Sequence, residues 1–143
     1  IDGKTVYDYL IENTDPETFN FIVDTCWCEF AGVDSASLIE RLGKRAMVIH
    51  FKDMDENSKN DKMPVFKEIG YGCLNWDKIF DACEKSGTLY AVVEQDDCNG
   101  RNPFDSLKDS FDYLDYGIRI DSGLFPEVTF ENSPMEVELV IKK

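Results

Sequence analysis

Three short apolar segments, each separated from the next by a stretch with helical spacing, constrain the fold of this chain most strongly. The apolar segments are rich in β-branched and aromatic residues and predict strands at residues 19–26, 46–51 and 89–94. Apolar residues at helical spacing predict four helices, at residues 5–12, 35–42, 75–86 and 103–114. This alternation predicts right-handed βαβ units around a parallel sheet, so the expected fold class is α/β.

The remaining segments have a different character. Residues 54–67 are polar, charged and weakly patterned, which predicts a long loop. Beyond Tyr116, three segments alternate polar with apolar residues between Gly and Pro, which is typical of antiparallel strands. These segments are residues 117–121, 128–130 and 136–141. We therefore expect an α/β unit over residues 1–115 and a β-rich tail or extension over residues 116–143.

The charge balance excludes some classes of partner. The formal net charge is −14, from 29 acidic and 15 basic residues. Binding to nucleic acid or to an anionic membrane needs clustered Lys and Arg, so neither partner is expected. The acidity is otherwise explained by solubility alone. No signal peptide is visible, and no apolar run approaches the roughly 20 residues that span a bilayer.

Five cysteines bear on the cellular compartment. Their number is odd, and no pair has the C-x-x-C spacing of a zinc or redox motif. We therefore expect reduced thiols in a cytoplasmic protein. Cys26 and Cys28 are two residues apart, so on a strand their side chains point to the same face. There they are either a metal clip or small apolar filler.

Each predicted strand ends in a polar residue that a buried strand does not otherwise favour. These residues are Asp24, His50 and Glu94, and His50 is the only histidine in the chain. Active sites of parallel α/β folds collect at the C-terminal ends of the strands, so we expect the three side chains to converge. Two carboxylates and one imidazole suit Mn²⁺, Mg²⁺, Co²⁺ or Zn²⁺. Three ligands on separate strands also leave positions open for substrate or water.

Each member of this triad has a simpler explanation of its own. His50 could be a hydrogen-bonded core histidine, Asp24 could cap the following turn, and Glu94 could pair with Lys52. Their coincidence at equivalent strand ends favours a shared ligand set over three separate explanations.

Five motifs, in their order along the chain, resemble the sugar phosphate isomerase/epimerase family, whose members are xylose isomerase-like (β/α)₈ TIM barrels. The resemblance covers roughly residues 3–114 and rests on the motifs together rather than on any single one. The motifs are residues 24–27 (DTCW), 48–53 (VIHFKD), 70–76 (GYGCLNW), 92–96 (VVEQD) and 103–107 (PFDSL). The resemblance implies that this chain forms the C-terminal three βα units of such a TIM barrel.

The resemblance also implies roles for particular residues. In the family, Glu, Asp, His and Glu from four successive strands hold a metal. Asp24, His50 and Glu94 match the last three of these ligands, and the first Glu belongs to a strand that would precede Ile1. Some relatives have a His three residues after the Asp, where this chain has Trp27. Trp27 is therefore expected to form an apolar wall beside the bound sugar.

Other residues near the strand ends have two interpretations each. Lys52 and Asp53 either contact substrate hydroxyls or form a local ion pair. Glu68 either reaches the mouth of the site or is a solvated loop carboxylate. Gln95 and Asp96 either orient the metal ligands or are simply solvated.

The activity implied by the resemblance is metal-dependent isomerisation or epimerisation of a keto-sugar, by proton transfer through an enediolate. Glu94 is expected to act as catalytic acid and base as well as ligand, with the missing Glu as its partner. Mn²⁺ is the favoured metal. One alternative is a metal-dependent lyase acting on a keto-sugar or C-glycoside, similar to inosose dehydratases or C-glycoside deglycosidases. The other is a non-catalytic partial barrel that docks on another chain.

Three strands cannot close a barrel by themselves. We therefore expect a homo-oligomer, or an assembly with a chain that carries the rest of the barrel. The helix at residues 5–12 has no preceding strand to pack on, which favours a truncated chain over a natural half-barrel. The chain alone is then expected to bind metal weakly and to show no turnover.

Overall fold

The computed structural model describes residues 2–121 and 136–139. Its strands are β1 (Ile22–Asp24), β2 (Val48–Phe51), β3 (Asp53–Met54), β4 (Phe66–Lys67), β5 (Tyr90–Val93) and β6 (Glu136–Leu139). Its helices are α1 (Val6–Asn13), α2 (Thr25–Phe30), α3 (Ser35–Leu42), α4 (Trp76–Ser86) and α5 (Pro103–Asp121), with 3₁₀ turns at Gly43–Arg45 and Glu56–Asn60. Strands β1, β2, β5 and β6 form a parallel sheet in that order, and β3 pairs with β4 antiparallel. The predicted α/β class is confirmed.

Local sequence signals set where the helices begin and end. Thr5 caps α1 through a capping box that it forms with Asp8. Asp34 and Asn75 cap α3 and α4, because the side chain of each accepts a hydrogen bond from the backbone amide three residues on. Gly87 ends α4 in the left-handed conformation that residues with a Cβ rarely adopt.

The core lies between one face of the sheet and helices α3 and α4. Val23, Ile49 and Ala91 form a buried row across three strands on this face. The opposite face is more open, because Ile22 and Tyr90, which lie in one row of the register, are 56% and 43% exposed. In a closed barrel this open face would be the packed interior.

The first strand is shorter than predicted. Asp24 accepts a hydrogen bond from the Trp27 amide at 3.0 Å, and α2 begins directly after β1. Cys26 and Cys28 therefore lie on a helix, where residues two apart do not share a face, and the predicted common face is wrong. Cys26 is buried and Cys28 is half-buried, and all five cysteines of the chain are free thiols.

The structure also departs from the predicted loop and tail. Phe66–Lys67 turns back to pair with Asp53–Met54, so residues 54–67 are not wholly a loop.

Helix α5 continues to Asp121, and the predicted strand at residues 117–121 is wrong, since a glycine costs a helix only about 1 kcal/mol and need not end it. Strand β6 is parallel to β5 rather than antiparallel. Residues 128–130 lie outside the described part of the chain, and the division near Tyr116 stays a prediction.

Candidate metal centre

The register of the parallel sheet places the three predicted ligands side by side. Asp24 is the register partner of His50 across β1 and β2, and His50 is the partner of Val92 on β5. Glu94 follows β5 directly, and its amide extends the ladder by donating to the Phe51 carbonyl at 3.1 Å. The three side chains therefore share the C-terminal edge of the sheet, because each is the last residue of a parallel strand or lies next to it.

The donor atoms of Asp24, His50 and Glu94 converge. One ligand atom from each residue lies within 4.8 Å of the other two. The His50 Nδ1 is 2.7 Å from Glu94 Oε2 and 3.8 Å from Asp24 Oδ2. Glu94 is buried, while Asp24 and His50 are half-buried and so remain open on one side. Two carboxylates and an imidazole are a donor set that divalent transition metals accept, so these residues fit such an ion.

The simpler explanations are realised in the same structure, but they use only part of each side chain. The Oδ1 atom of Asp24 caps α2, while Oδ2 faces His50 and Lys52. Glu94 pairs with Lys52 at 3.1 Å and also contacts His50. Capping and ion pairing therefore orient the carboxylates without taking them out of the cluster.

Lys52 lies at the centre of this cluster. Its side chain is 2% exposed, and its Nζ atom is 3.1 Å from a carboxylate oxygen of each of Asp24, Glu94 and Asp96. Burial alone would lower the pKa of Lys52, but these carboxylates outweigh it and hold the pKa above its ordinary value. The Thr25 hydroxyl fixes the backbone beneath, because it accepts from the Lys52 amide and donates to the Lys52 carbonyl.

The acidic neighbours also act on the imidazole. The Asp24 carboxylate raises the pKa of His50 above its ordinary value, partial burial of the ring opposes this increase, and the charge of Glu94 adds to it. Two negative groups beside one imidazole favour a bound cation, whether a proton or a metal ion.

Asp53 points away from the triad. Its side chain is fully buried, and its carboxylate accepts hydrogen bonds from the Trp76 indole at 2.8 Å and from four backbone amides. The amides belong to Met54, Gly70, Gly72 and Leu74. A carboxylate enclosed in this way is not available to a substrate hydroxyl, so a structural role takes the place of the predicted substrate contact. The alternative was an ion pair between Asp53 and Lys52, but the Lys52 ammonium pairs with Asp24, Glu94 and Asp96 instead.

Trp27 lies on α2 beside the cluster and is half-buried. It contacts Phe66 on β4 edge to face at 6.0 Å, and the Lys52 ammonium lies 5.5 Å from the centre of the Phe66 ring. The position agrees with an apolar wall, although contact between Trp27 and a sugar stays a prediction. Phe66 was missed by the sequence reasoning, because it falls within the segment predicted as a loop.

Asp96 and Glu68 are two further residues that the sequence left with two interpretations. Asp96 directly contacts Lys52, which places it next to the ligand set rather than free in solvent. Glu68 is buried and pairs with Arg101 at 2.6 Å, so the expected solvated loop carboxylate is wrong. The signal in the sequence was weak, since nothing local links Glu68 to Arg101, more than thirty residues further on.

Comparison with known proteins gives a consistent answer. A family model described as xylose isomerase-like TIM barrel matches residues 6–116. The inosose dehydratase of Lacticaseibacillus casei is 29% identical over 128 residues, which cover 79% of this chain and 43% of that protein. The inosose dehydratase of Mesomycoplasma hyopneumoniae strain 7448 is 31% identical over 121 residues, which cover 73% of this chain and 40% of that protein.

A solved structure is similar in fold as well. The crystal structure of a sugar phosphate isomerase/epimerase from Parabacteroides distasonis ATCC 8503 superposes with a TM-score of 0.66 at 26% identity, covering 78% of this chain and 35% of that one. The chain therefore spans less than half the length of the relatives it matches. Among the described residues, none of the helices is both long enough and apolar enough to cross a membrane.

Proposed function

The chain belongs to the xylose isomerase-like TIM barrel family, and from that premise we propose that it carries the metal-binding end of a sugar isomerase or epimerase. The observation behind the proposal is the convergence of Asp24, His50 and Glu94 at the C-terminal edge of parallel strands. The fold similarity to a sugar phosphate isomerase/epimerase supports the reaction class. The activity of the whole barrel is part of the proposal, since the chain covers only a portion of it.

The proposed substrate is a keto-sugar, and the proposed reaction moves a proton between neighbouring carbons of the sugar through an enediolate. Asp24, His50 and Glu94 would hold a divalent ion, Mn²⁺ by preference and Mg²⁺, Co²⁺ or Zn²⁺ otherwise, which supplies positive charge beside the substrate oxygens. Glu94 takes the proton from carbon and later returns it, and its burial keeps water away from the carboxylate. Lys52 donates to a substrate hydroxyl oxygen, and Trp27 covers an apolar face of the sugar.

Manganese binding to the ligand variants tests the assignment. The chain is titrated with Mn²⁺ while the free ion is followed by electron paramagnetic resonance. His50→Asn and Glu94→Gln are each expected to weaken binding by about tenfold or more, because each removes a donor from the set. Asp81→Asn, an exposed carboxylate on α4, is the matched control and should leave binding unchanged. Full Mn²⁺ occupancy in both ligand variants would show that the assignment is wrong.

A second candidate function is dehydration. The sequence relatives named as inosose dehydratases favour it, and the same residues can serve it. Glu94 would remove a proton next to a ketone and deliver it to the hydroxyl on the neighbouring carbon, which would leave as water. The two reactions differ in product. Incubation of the Mn²⁺-loaded protein, with any chain that co-purifies, should convert a ketohexose to an isomer in one case. In the other it should convert a keto-inositol to an unsaturated ketone that absorbs in the ultraviolet.

The open face of the sheet bears on assembly. Ile22 and Tyr90 are partly exposed there, and burying the remaining exposed area would stabilise an assembly by roughly 1 kcal/mol for each side chain. The proposed partner is a chain that carries the rest of the barrel, or a second copy of this one. The native mass tests this point, because a stable, metal-free monomer of 16.4 kDa would instead favour a non-catalytic interaction module.

The five free thiols support a cytoplasmic location.

A further inference from the structure

The Lys52 ammonium already contacts two carboxylates that a metal ion would need. The Lys52 ammonium is 3.1 Å from Asp24 Oδ2 and 3.1 Å from Glu94 Oε2, which belong to two of the three residues that would ligate the ion. A lysine ammonium has three N–H donors and no acceptor, so it uses these oxygens in the same way that a metal would. The cation of Lys52 and a divalent ion therefore compete for the same two carboxylates.

The charges of the cluster point to an exchange of cations rather than to a permanent ion pair. The carboxylates of Asp24, Glu94 and Asp96 surround one ammonium, which leaves two negative charges in excess. A single divalent ion would neutralise that excess. Repulsion between the ion and an ammonium on the same oxygens would be strong, because a site this buried is poorly screened by water and salt.

Asp96 offers the ammonium a second position outside the ligand triad. Its carboxylate already accepts from Lys52 Nζ at 3.1 Å, and its side chain is 33% exposed at the rim of the cluster. Asp96 also borders a cavity of about 270 Å³ between the segment after β5 and helix α5. The Phe66 ring, 5.5 Å from the ammonium, is a further contact that does not involve a metal ligand.

We propose that Lys52 is a resident cation that exchanges with the divalent ion. It neutralises Asp24 and Glu94 when the ion is absent. When the ion is bound, Asp96 and Phe66 are the only two of these contacts that it keeps, and the N–H donors released from Asp24 and Glu94 become available to a substrate hydroxyl. The proposal rests on the metal site of the proposed function and adds the element that sets its affinity. Toward the metal, Lys52 acts by positioning, because its ion pairs hold the two carboxylates in place before the ion arrives.

Removing the competing cation is the direct test. Lys52→Met keeps most of the side-chain volume and is expected to tighten Mn²⁺ binding about tenfold, because the ion no longer displaces an ammonium. Lys67→Met is the matched control: it removes the same charge from an ion pair with Asp55 outside the cluster, and its Mn²⁺ affinity should stay within about twofold. Lys52→Gln carries the same prediction as Lys52→Met if the methionine variant does not fold. Unchanged or weaker binding in the Lys52 variant that folds would overturn the proposal.

A double-mutant cycle tests the role of Asp96. Asp96→Asn removes the second position of the ammonium, so it should weaken Mn²⁺ binding about tenfold in the wild-type background and at most about threefold in the Lys52→Met background. The smaller loss of Mn²⁺ affinity in the Lys52→Met background reflects only the missing negative charge of Asp96. Equal losses in both backgrounds would show that Asp96 does not receive the ammonium and would overturn the exchange.

The same titrations separate failure of this inference from failure of the proposed function. If His50→Asn weakens Mn²⁺ binding but Lys52→Met does not tighten it, the metal site stands and the exchange is wrong. If Lys52→Met tightens binding while His50→Asn leaves it unchanged, the ligand set is wrong and the exchange with it, because the ion then does not lie on these residues.

Discussion

Lys52 and Asp53 are neighbours in sequence, and both are charged side chains with almost no exposure to solvent. Their partners differ in kind. Lys52 meets three carboxylates carried by two segments of the chain, the end of β1 and the residues after β5, and two of these carboxylates would also ligate a metal. Asp53 meets four backbone amides and one indole N–H. We call Lys52 together with Asp24, His50, Glu94 and Asp96 the Lys52 cluster. We call Asp53 together with its five N–H donors the Asp53 hub.

The difference shows how one fold can hold a buried charge for two purposes. Backbone amides cannot be exchanged for other partners, so the Asp53 hub is closed and fixes the segment from Gly70 to Trp76 against β3. Carboxylate side chains can change partners, so the Lys52 cluster stays open to another cation. In this chain the buried charge that backbone groups satisfy has a structural role, whereas the one that several carboxylates surround lies at the proposed metal site.

The largest expected loss of stability comes from replacing Asp53 in the Asp53 hub. Asp53→Asn should lower the free energy of unfolding by about 3–5 kcal/mol, because the amide supplies one acceptor oxygen to five enclosed N–H donors and brings N–H groups of its own. Urea denaturation at neutral pH measures the change. Asp81→Asn, which removes an exposed carboxylate on α4, is the control and should change stability by less than about 0.5 kcal/mol. A loss below about 1 kcal/mol for Asp53→Asn would show that the hub is not closed.

A bulkier residue in place of Gly72 should disturb the Asp53 hub, because it would crowd the Asp53 carboxylate. A Cβ there would lie 2.1 Å from Asp53 Oδ1 and 2.5 Å from the Met54 carbonyl oxygen, so Gly72→Ala should cost about 3 kcal/mol through overpacking. Thermal and urea unfolding check this value. Gly32→Ala is the matched control, since its φ of +76° causes strain but nothing lies within 4 Å of the added carbon. It should cost only about 1 kcal/mol, and equal losses at the two sites would contradict the account.

The ion pair of Glu68 and Arg101 links the end of β4 to the segment that carries Asp96. Glu68→Gln should cost about 1–2 kcal/mol at pH 7. Burial would raise the pKa of Glu68, but hydrogen bonds and the Arg101 charge outweigh burial and lower it from its ordinary value of 4.5.

Because the pKa of Glu68 is lower in the folded state, the stabilisation is complete above pH 4.5 and is lost as the pH falls through the folded-state value. The wild-type protein and Glu68→Gln should therefore converge in stability in acid, as followed by urea denaturation at a series of pH values. Glu84→Gln, at an exposed position on α4, serves as control. A difference that stays constant down to the acid end of the series would argue against this pair.

The smallest expected effect on stability lies in the Lys52 cluster. His50→Asn should change the free energy of unfolding by at most about 1 kcal/mol, because the imidazole is 28% exposed and Asn can still donate to Glu94. The same variant should lose Mn²⁺ affinity, as given above. A stability loss as large as that of Asp53→Asn would remove the distinction between an open cluster and a closed hub.

Much of the site could be predicted because parallel strands present their C-terminal ends at one edge. Asp24, His50 and Glu94 each follow an apolar run, and strand direction alone brings them together. The early end of β1 was harder to foresee, because Asp24 both ends the strand and caps α2, and the following residues have the composition of a strand.

The partners of the two buried charges could not be predicted from the sequence. Lys52 has a long side chain that reaches several acidic groups, and only the register of three segments decides which ones. Asp53 depends on the return of the chain at Gly70 to Trp76, which brings four amides to one point. The position of Phe66 beneath Lys52 follows from a two-residue strand pair that is too short to leave a pattern.

The central claim is that one divalent ion binds to Asp24, His50 and Glu94. Crystals grown with Mn²⁺ and measured for anomalous scattering at the manganese absorption edge test it most directly. We expect a single anomalous peak in contact with all three side chains, with the Lys52 ammonium on Asp96. A peak at other residues, or no peak at this triad in crystals that hold Mn²⁺ elsewhere, would contradict it.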